Sequence, residues 1–422
     1  MSIADDNYAK LKENMARMTK WAKSISERED TIARPRSTIK LQVASSEQSI
    51  TRQKLGHPAF DILSHGGVPR GRYSILFGGP GQGKSVQAAC LMKEAQSEGI
   101  VPLYFAAEGT DRNWLAAQGV DMDFLMLNDT EQDCARILNA TDEACRGTKE
   151  IGKIDVGNPT TKLIIIDSVA AMKHTEEEKK GVAGDNMAWT ARRLSQYFRT
   201  CTSSVAINGV SVFFINQIRS DMDPNAFEKY PGGNALMHYS ALDLLVRRCG
   251  KNDFVESIYK YFFEEEGSRT GFPNLMQVRK TKIFGLPENT KAIGILQENI
   301  GLVKELTLAQ FFVAEDLCER AGATVSTTQW DGTSEKEFKT TGGFGSFVDW
   351  IYENYDLAYA SAEHAYEKKF AKMLEGRMAK FHRESNLQDL PEPATEDAPG
   401  IEAKAEAPEK EPKKRGRKKG KR

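Results

Sequence analysis

The sequence predicts an α/β protein whose mostly parallel β-sheet is covered by helices on both faces. Two observations predict it. Short runs that are apolar at nearly every position (residues 73–77, 101–106, 163–166, 210–215 and 241–246) alternate with helix-like segments such as 86–95 and 187–198. Strands without a polar face must be buried on both sides, and crossover helices provide that cover. A glycine-rich stretch over residues 78–83 falls between the first run and the first of these helices, where a tight strand-to-helix turn is needed.

The elements follow in order. Tyr8, Leu11, Met15, Met18, Ala22 and Ile25 recur in steps of three and four, which sets them on one helical face. That stripe must be buried, either on the chain's own domain or on a neighbouring subunit. Together with a polar, basic linker it makes up residues 1–52. Residues 53–300 hold the sheet and its helices, and the later runs 275–278 and 293–296 extend the sheet. Residues 301–358 read as a small mixed α/β domain, and 359–384 as a charged, Ala-rich helix. The tail, 385–422, is rich in Pro, Glu, Ala and Lys, lacks periodicity, and is expected to be disordered.

Composition narrows the function classes. The 422 residues are 40% hydrophobic and 28% charged, enough for a large core with an appendage. The formal net charge of −1 says nothing about partners by itself. The six cysteines show no CxxC or Cys/His spacing, which argues against a disulfide framework or a zinc site. No stretch approaches the ~18–20 apolar residues of a membrane span, and no signal segment is visible. A cytoplasmic location is expected, in a bacterium or in an infected host cell, and no membrane partner.

Gly78, Gly79, Pro80, Gly81, Gln82, Gly83, Lys84 and Ser85 fit GxxxxGK[ST], in the strand–loop–helix context the motif requires. Its backbone N–H groups would cradle the phosphates of ATP, with Lys84 reaching the β- and γ-phosphates and Ser85 ligating Mg²⁺. The apolar run 163–166 ends at Asp167, a carboxylate suited to the Mg²⁺ shell. The run 103–107 leads to Glu108, expected at the same sheet edge, where it would polarise an attacking water.

Several separated stretches then resemble the bacterial and phage RecA family of recombinases. They are residues 165–171 around Asp167, 214–219 around Gln217, 231–236, Arg247–Arg248, Lys280–Thr281–Lys282 and 319–323. The similarity runs from about Leu55 to about Ile351. It implies an ATP-dependent recombinase with a RecA-type core. Such a protein polymerises as a helical filament on single-stranded DNA, engages double-stranded DNA and exchanges strands.

The resemblance also implies roles. Glu108 matches the catalytic glutamate, and Asp111 and Trp114 fall where the adenine is contacted. Gln217 matches the γ-phosphate-sensing glutamine that opens the second DNA loop. Lys280 and Lys282 match lysines that reach a neighbour's γ-phosphate. From the residues alone, Lys-x-Lys at strand spacing merely points two side chains to one face. The first DNA loop matches residues 184–187, with Met187 as a wedge between bases, followed by Arg192, Arg193 and Arg199 on a helix. A solvated helix face is the alternative for those arginines. In the second loop, Arg219, Met222, Gly232, Gly233 and Asn234 are expected at DNA, although Asp221, Asp223 and Glu228 depart from the pattern. The tail departs too: eight of its last ten residues are Lys or Arg, which suits any polyanion. The insertion at 249–276 has no reading. A ring helicase on the same fold and a non-hydrolysing recombination mediator are the rivals; the separated motifs disfavour the first, and the intact Lys84, Ser85, Glu108 and Asp167 the second.

Overall fold

The computed structural model describes residues 3–26, 51–146, 149–150, 153–154, 159–173, 187–218, 233–249, 271–297 and 300–384. The chain divides into two units, Met1–Lys369 and Phe370–Arg422. Of the second, only the end of a helix that finishes at Glu384 is described.

The first unit is built on a nine-stranded sheet. Its strands, in chain order, are β1 (Tyr73–Gly78), β2 (Leu103–Ala106), β3 (Met126–Asn128), β4 (Leu163–Asp167), β5 (Ser211–Gln217), β6 (Ser240–Arg248), β7 (Gly271–Thr281), β8 (Lys291–Gln297) and β9 (Gly301–Leu302). Across the sheet they run β9-β8-β7-β6-β1-β5-β4-β2-β3. The six from β6 to β3 are parallel. From β6 outward the pairings β6–β7, β7–β8 and β8–β9 are antiparallel. The connection from β7 to β8 is too short for the crossover a parallel pair requires, so β8 folds straight back.

The strands alternate their side chains between two apolar layers, as a sheet covered on both faces must. Leu163 and Ile165 enter one buried cluster, while Ile164 and Ile166 enter the other. The main helices are α1 (Ile3–Ser26), α2 (Lys84–Ser97), α3 (Cys134–Arg146), α4 (Met187–Ile207), α5 (Asn234–Tyr239), α6 (Lys304–Ala314), α7 (Gly343–Glu353) and α8 (Tyr355–Glu384). Helix α4 buries Leu194, Phe198, Cys201 and Val205 in the second cluster, at positions three and four residues apart.

Helix α1 covers the middle of its stripe on its own chain. Leu11 and Met18 are buried in the second cluster, and the Tyr8 ring meets Phe124 edge-on at 5.5 Å. Asn7 and Asn14 donate to the carbonyls of Ser97 and Gly99. In residues 301–358, α6 and α7 stand beside a three-stranded antiparallel sheet, Cys318–Ala321, Thr324–Trp330 and Glu335–Thr340. Their Leu306, Phe312, Phe347 and Ile351 share one continuous cluster with Leu76 and Leu244 of the large sheet. The helix predicted over 359–384 begins earlier, at Tyr355.

Candidate functional site

The parallel strands place their C-terminal ends along one edge, and the sequence-predicted nucleotide residues collect there. Strand β1 ends at Gly78, and residues 79–83 turn the chain into α2. Gly83 caps that helix with φ +85°, a left-handed conformation open to glycine without strain. A side chain there would also meet Leu296 Cδ1 at 2.6 Å. Lys84 Nζ donates to the Gly79 carbonyl at 2.7 Å, folding the ammonium back over the loop. Burial lowers the Lys84 pKa, opposed by the nearby carboxylates of Asp167 and Glu108.

Asp167 closes β4 beside this loop and is buried. Its Oδ2 accepts from Ser85 Oγ at 3.2 Å and from the Tyr104 hydroxyl at 3.0 Å. Burial raises the Asp167 pKa; the Tyr104 bond opposes this and the charge on Glu108 adds to it. Glu108, just beyond β2, is exposed. Its Oε1 accepts from Ser168 Oγ and, at 2.7 Å, from Gln217 Nε2 at the end of β5. Two polar sets therefore adjoin at the Asp167–Ser168 step: Ser85, Asp167 and Tyr104 on one side, Ser168, Glu108 and Gln217 on the other.

The donor set fits Mg²⁺ and a triphosphate. A hydroxyl and a carboxylate 3.2 Å apart are the hard oxygen ligands Mg²⁺ takes, and the loop presents a lysine at a helix N-terminus.

Two residues the sequence reading missed support this edge. Tyr104 is a buried strand residue indistinguishable in sequence from core. Asn274 is fully buried on β7 and donates Nδ2 to the Gln82 carbonyl at 2.8 Å and to the Arg247 carbonyl at 3.2 Å. It braces the phosphate loop from a strand 192 residues away in sequence. In sequence, Asn274 is a single polar residue at the edge of an apolar run, with no spacing that ties it to the loop.

Asp111 N-caps the short helix Arg112–Ala117, accepting from the Asn113 N–H at 2.8 Å, and Trp114 packs partly buried against the core. Arg192, Arg193 and Arg199 are all exposed on α4. Arg192 and Arg199, seven residues apart, border one groove with Ser195 and Gln196, whereas Arg193 borders a second cleft with Asn139 and Asp142 of α3. The Arg192 guanidinium stacks over Trp189 at 5.3 Å. Met187 begins α4, and Gly233 and Asn234 begin α5. Arg219, Met222 and Gly232, residues 184–186, the tail and most of the 249–276 insertion lie outside the described residues.

Lys280 and Lys282 stand apart from the phosphate loop of their own chain. Lys280 pairs with Asp243, which pairs with Ile75, whereas Gly78 pairs with Val246. That is three residues down the strand and two strands across, about 10 Å in each direction. Lys280 Nζ instead donates to the carbonyls of Met237 and Ser240, the latter at 3.0 Å, and Lys282 Nζ to the His238 carbonyl at 3.3 Å.

A doubly covered, mostly parallel sheet with GxxxxGK[ST] at the end of its central strand and a carboxylate closing the next-but-one strand defines a P-loop α/β protein. The model of the RecA N-terminal domain family matches residues 23–260, more than half of the chain, and the chain belongs to that family. Protein RecA of Chlamydia trachomatis is 34% identical over 220 residues, covering 51% of this chain and 58% of that protein. Protein RecA of Bdellovibrio bacteriovorus is 29% identical over 273 residues, covering 64% of this chain and 66% of that protein. The crystal structure of the RadB recombinase aligns with 59% of this chain at 16% identity and a TM-score of 0.41. The chain thus spans little more than half the length of the first of these relatives.

Proposed function

We propose that this chain is an ATP-dependent DNA recombinase: it polymerises on single-stranded DNA, pairs that strand with homologous double-stranded DNA and exchanges strands in recombination and repair. The observation that carries the reading is the bond from Gln217 to Glu108. It joins the carboxylate best placed to activate water to the residue from which the second DNA loop departs, so hydrolysis and DNA contact share a hinge.

In this reading Lys84 binds the β- and γ-phosphates, and Ser85 and Asp167 hold Mg²⁺, with Tyr104 fixing the Asp167 carboxylate. Bound Mg²⁺ would neutralise charge developing on the phosphate oxygens. Asp111 and Trp114 border the adenine. Glu108 accepts the proton of the attacking water, and Gln217 and Ser168 keep its Oε1 oriented. Lys280 and Lys282, out of reach of their own phosphate loop, serve the nucleotide of an adjacent subunit, which makes turnover depend on assembly. Arg192 and Arg199 take DNA phosphates without reading sequence. The α1 stripe, from which Tyr8 stands half exposed, passes to a neighbour in the filament. A cytoplasmic location belongs to the same reading. Among the described residues no helix is long and apolar enough to cross a membrane.

Electron microscopy with single-stranded DNA and a non-hydrolysable ATP analogue tests the proposal. A continuous helical coat, together with ATP hydrolysis stimulated by single-stranded DNA, is expected. Closed rings that unwind duplexes without forming joint molecules would refute it.

A further inference from the structure

Asp243 is a buried carboxylate apart from the nucleotide residues. It lies on β6 and is 1% exposed; its oxygens meet no donor at full hydrogen-bond geometry, and the Ser240 hydroxyl is a donor near it. A charge in that position is costly unless an opposite charge offsets it. Its register partner on β7 is Lys280, and directly opposed residues of an antiparallel pair project from the same face of the sheet. Lys280 and Lys282 are the two cations that act on it, and the Ser240 hydroxyl acts from its own strand. Both ammonium groups are meanwhile seated on carbonyl oxygens of Met237, His238 and Ser240, at the C-terminal end of α5. Unsatisfied carbonyls at a helix end carry partial negative charge, which favours cations there. Thus two lysines are drawn to one place by a helix end and by a buried anion behind it, and α5 itself starts where the second DNA loop ends.

We propose that Asp243 is a positioning residue that latches Lys280 and Lys282 onto the end of α5 and restrains them from crossing to a neighbouring subunit. The proposal rests on the reading that these lysines serve that neighbour's nucleotide. When they cross, Asp243 loses its counter-charges and takes up a proton from solvent. Protonating Asp243 therefore opens the latch, and ionising it closes the latch. Burial raises the Asp243 pKa to about 6, opposed by Ser240, Lys280 and Lys282, so the change falls in an accessible range. Glu288, which acts on Lys280, is the further acidic group facing the pair, and His238 contributes its carbonyl.

The test uses the full chain with ATP, Mg²⁺ and single-stranded DNA, and reads the protein concentration that half-saturates DNA-dependent ATP hydrolysis. Asp243→Asn keeps the shape and removes the charge. It is expected to lower that concentration by about three- to tenfold, the scale of a partly screened charge pair. Read instead from binding to labelled single-stranded DNA with a non-hydrolysable ATP analogue, the same gain should appear in Asp243→Asn and vanish in a Lys280→Ala, Lys282→Ala background. The wild type needs no substitution to be informative: its half-saturating concentration should fall as pH drops through about 6, whereas Asp243→Asn should show no such change and Asp243→Glu should restore it. An unchanged or raised concentration in Asp243→Asn, a flat wild-type profile, or a gain that survives removal of the lysines overturns the latch alone. If the lysine substitutions leave hydrolysis on DNA at the wild-type level, the crossing itself is wrong and the latch falls with it.

Discussion

Glu108 and Gln217 are 109 residues apart in the chain and 2.7 Å apart in space. Glu108→Gln is expected to keep ATP binding and lose hydrolysis by about 100-fold or more, because an amide cannot take the proton of the attacking water. Nucleotide binding by a fluorescent analogue and phosphate release, measured on the same sample, check both halves. Lys84→Ala should instead abolish binding itself. Tyr104→Phe removes one of the two bonds on Asp167 Oδ2. It should raise the Mg²⁺ concentration needed for half-maximal hydrolysis by a few-fold, with a stability loss of about 1 kcal/mol measured by denaturant unfolding. At this scale the sequence was legible where chemistry follows from contiguous spacing, as in residues 78–85, or from a carboxylate closing an apolar strand. Tyr104 and Asn274 were not legible. Their partners lie 63 and 192 residues away, and only the order of strands in the sheet brings them together.

Among the elements, the short helix Pro58–Leu63 and its N-cap His57 bring together two buried groups whose pKa values shift in opposite senses. Burial lowers the His57 pKa to about 4 and raises that of Asp61 to about 7, the latter despite N–H bonds from Leu55 and Gly56. Between about pH 4 and 6.5 the unfolded chain binds more protons at His57, so that group adds stability as pH rises. Over about pH 4 to 7 the folded chain binds more protons at Asp61, so that group removes stability as pH rises. The two slopes offset each other up to about pH 6.5. Asp61→Asn should unmask the histidine, so that stability drops on acidification from about 6.5 to 4 by a few kcal/mol, against a flatter wild type in urea unfolding across pH. The periodicity of α1 predicted its helix and its buried stripe, but not which surface covers it. That choice depends on where a helix without fixed partners finds apolar cover, and here Phe124 and the second cluster supply it. The antiparallel return of β8 was equally silent, since an apolar run does not record its direction.

For the molecule as a whole, the proposed function would divide two tasks across the sheet. Its C-terminal edge gathers the residues proposed for the nucleotide, while α4 turns Arg192 and Arg199 outward. Substituting both arginines by Ala should weaken single-stranded DNA binding and reduce the salt slope of the affinity by about 1–2, with ATP binding unaffected. Removing residues 413–422 should lower affinity for duplex DNA and flatten its salt dependence, as loss of eight basic residues requires; an unchanged slope in a titration would show that the tail has other business.

Strand β7 has a consequence at this largest scale. Near one end Asn274 grips the phosphate loop through the Gln82 carbonyl, and at the other Lys280 and Lys282 emerge. About 20 Å of pleated backbone, pinned between neighbours on both sides, connects the two. In a helical array such a girder would couple the filling of one ATP pocket to the grip on the adjacent one, so that consecutive subunits fire in sequence instead of at random. Asn274→Ala would uncouple them and lower the Hill coefficient of ATP saturation toward one.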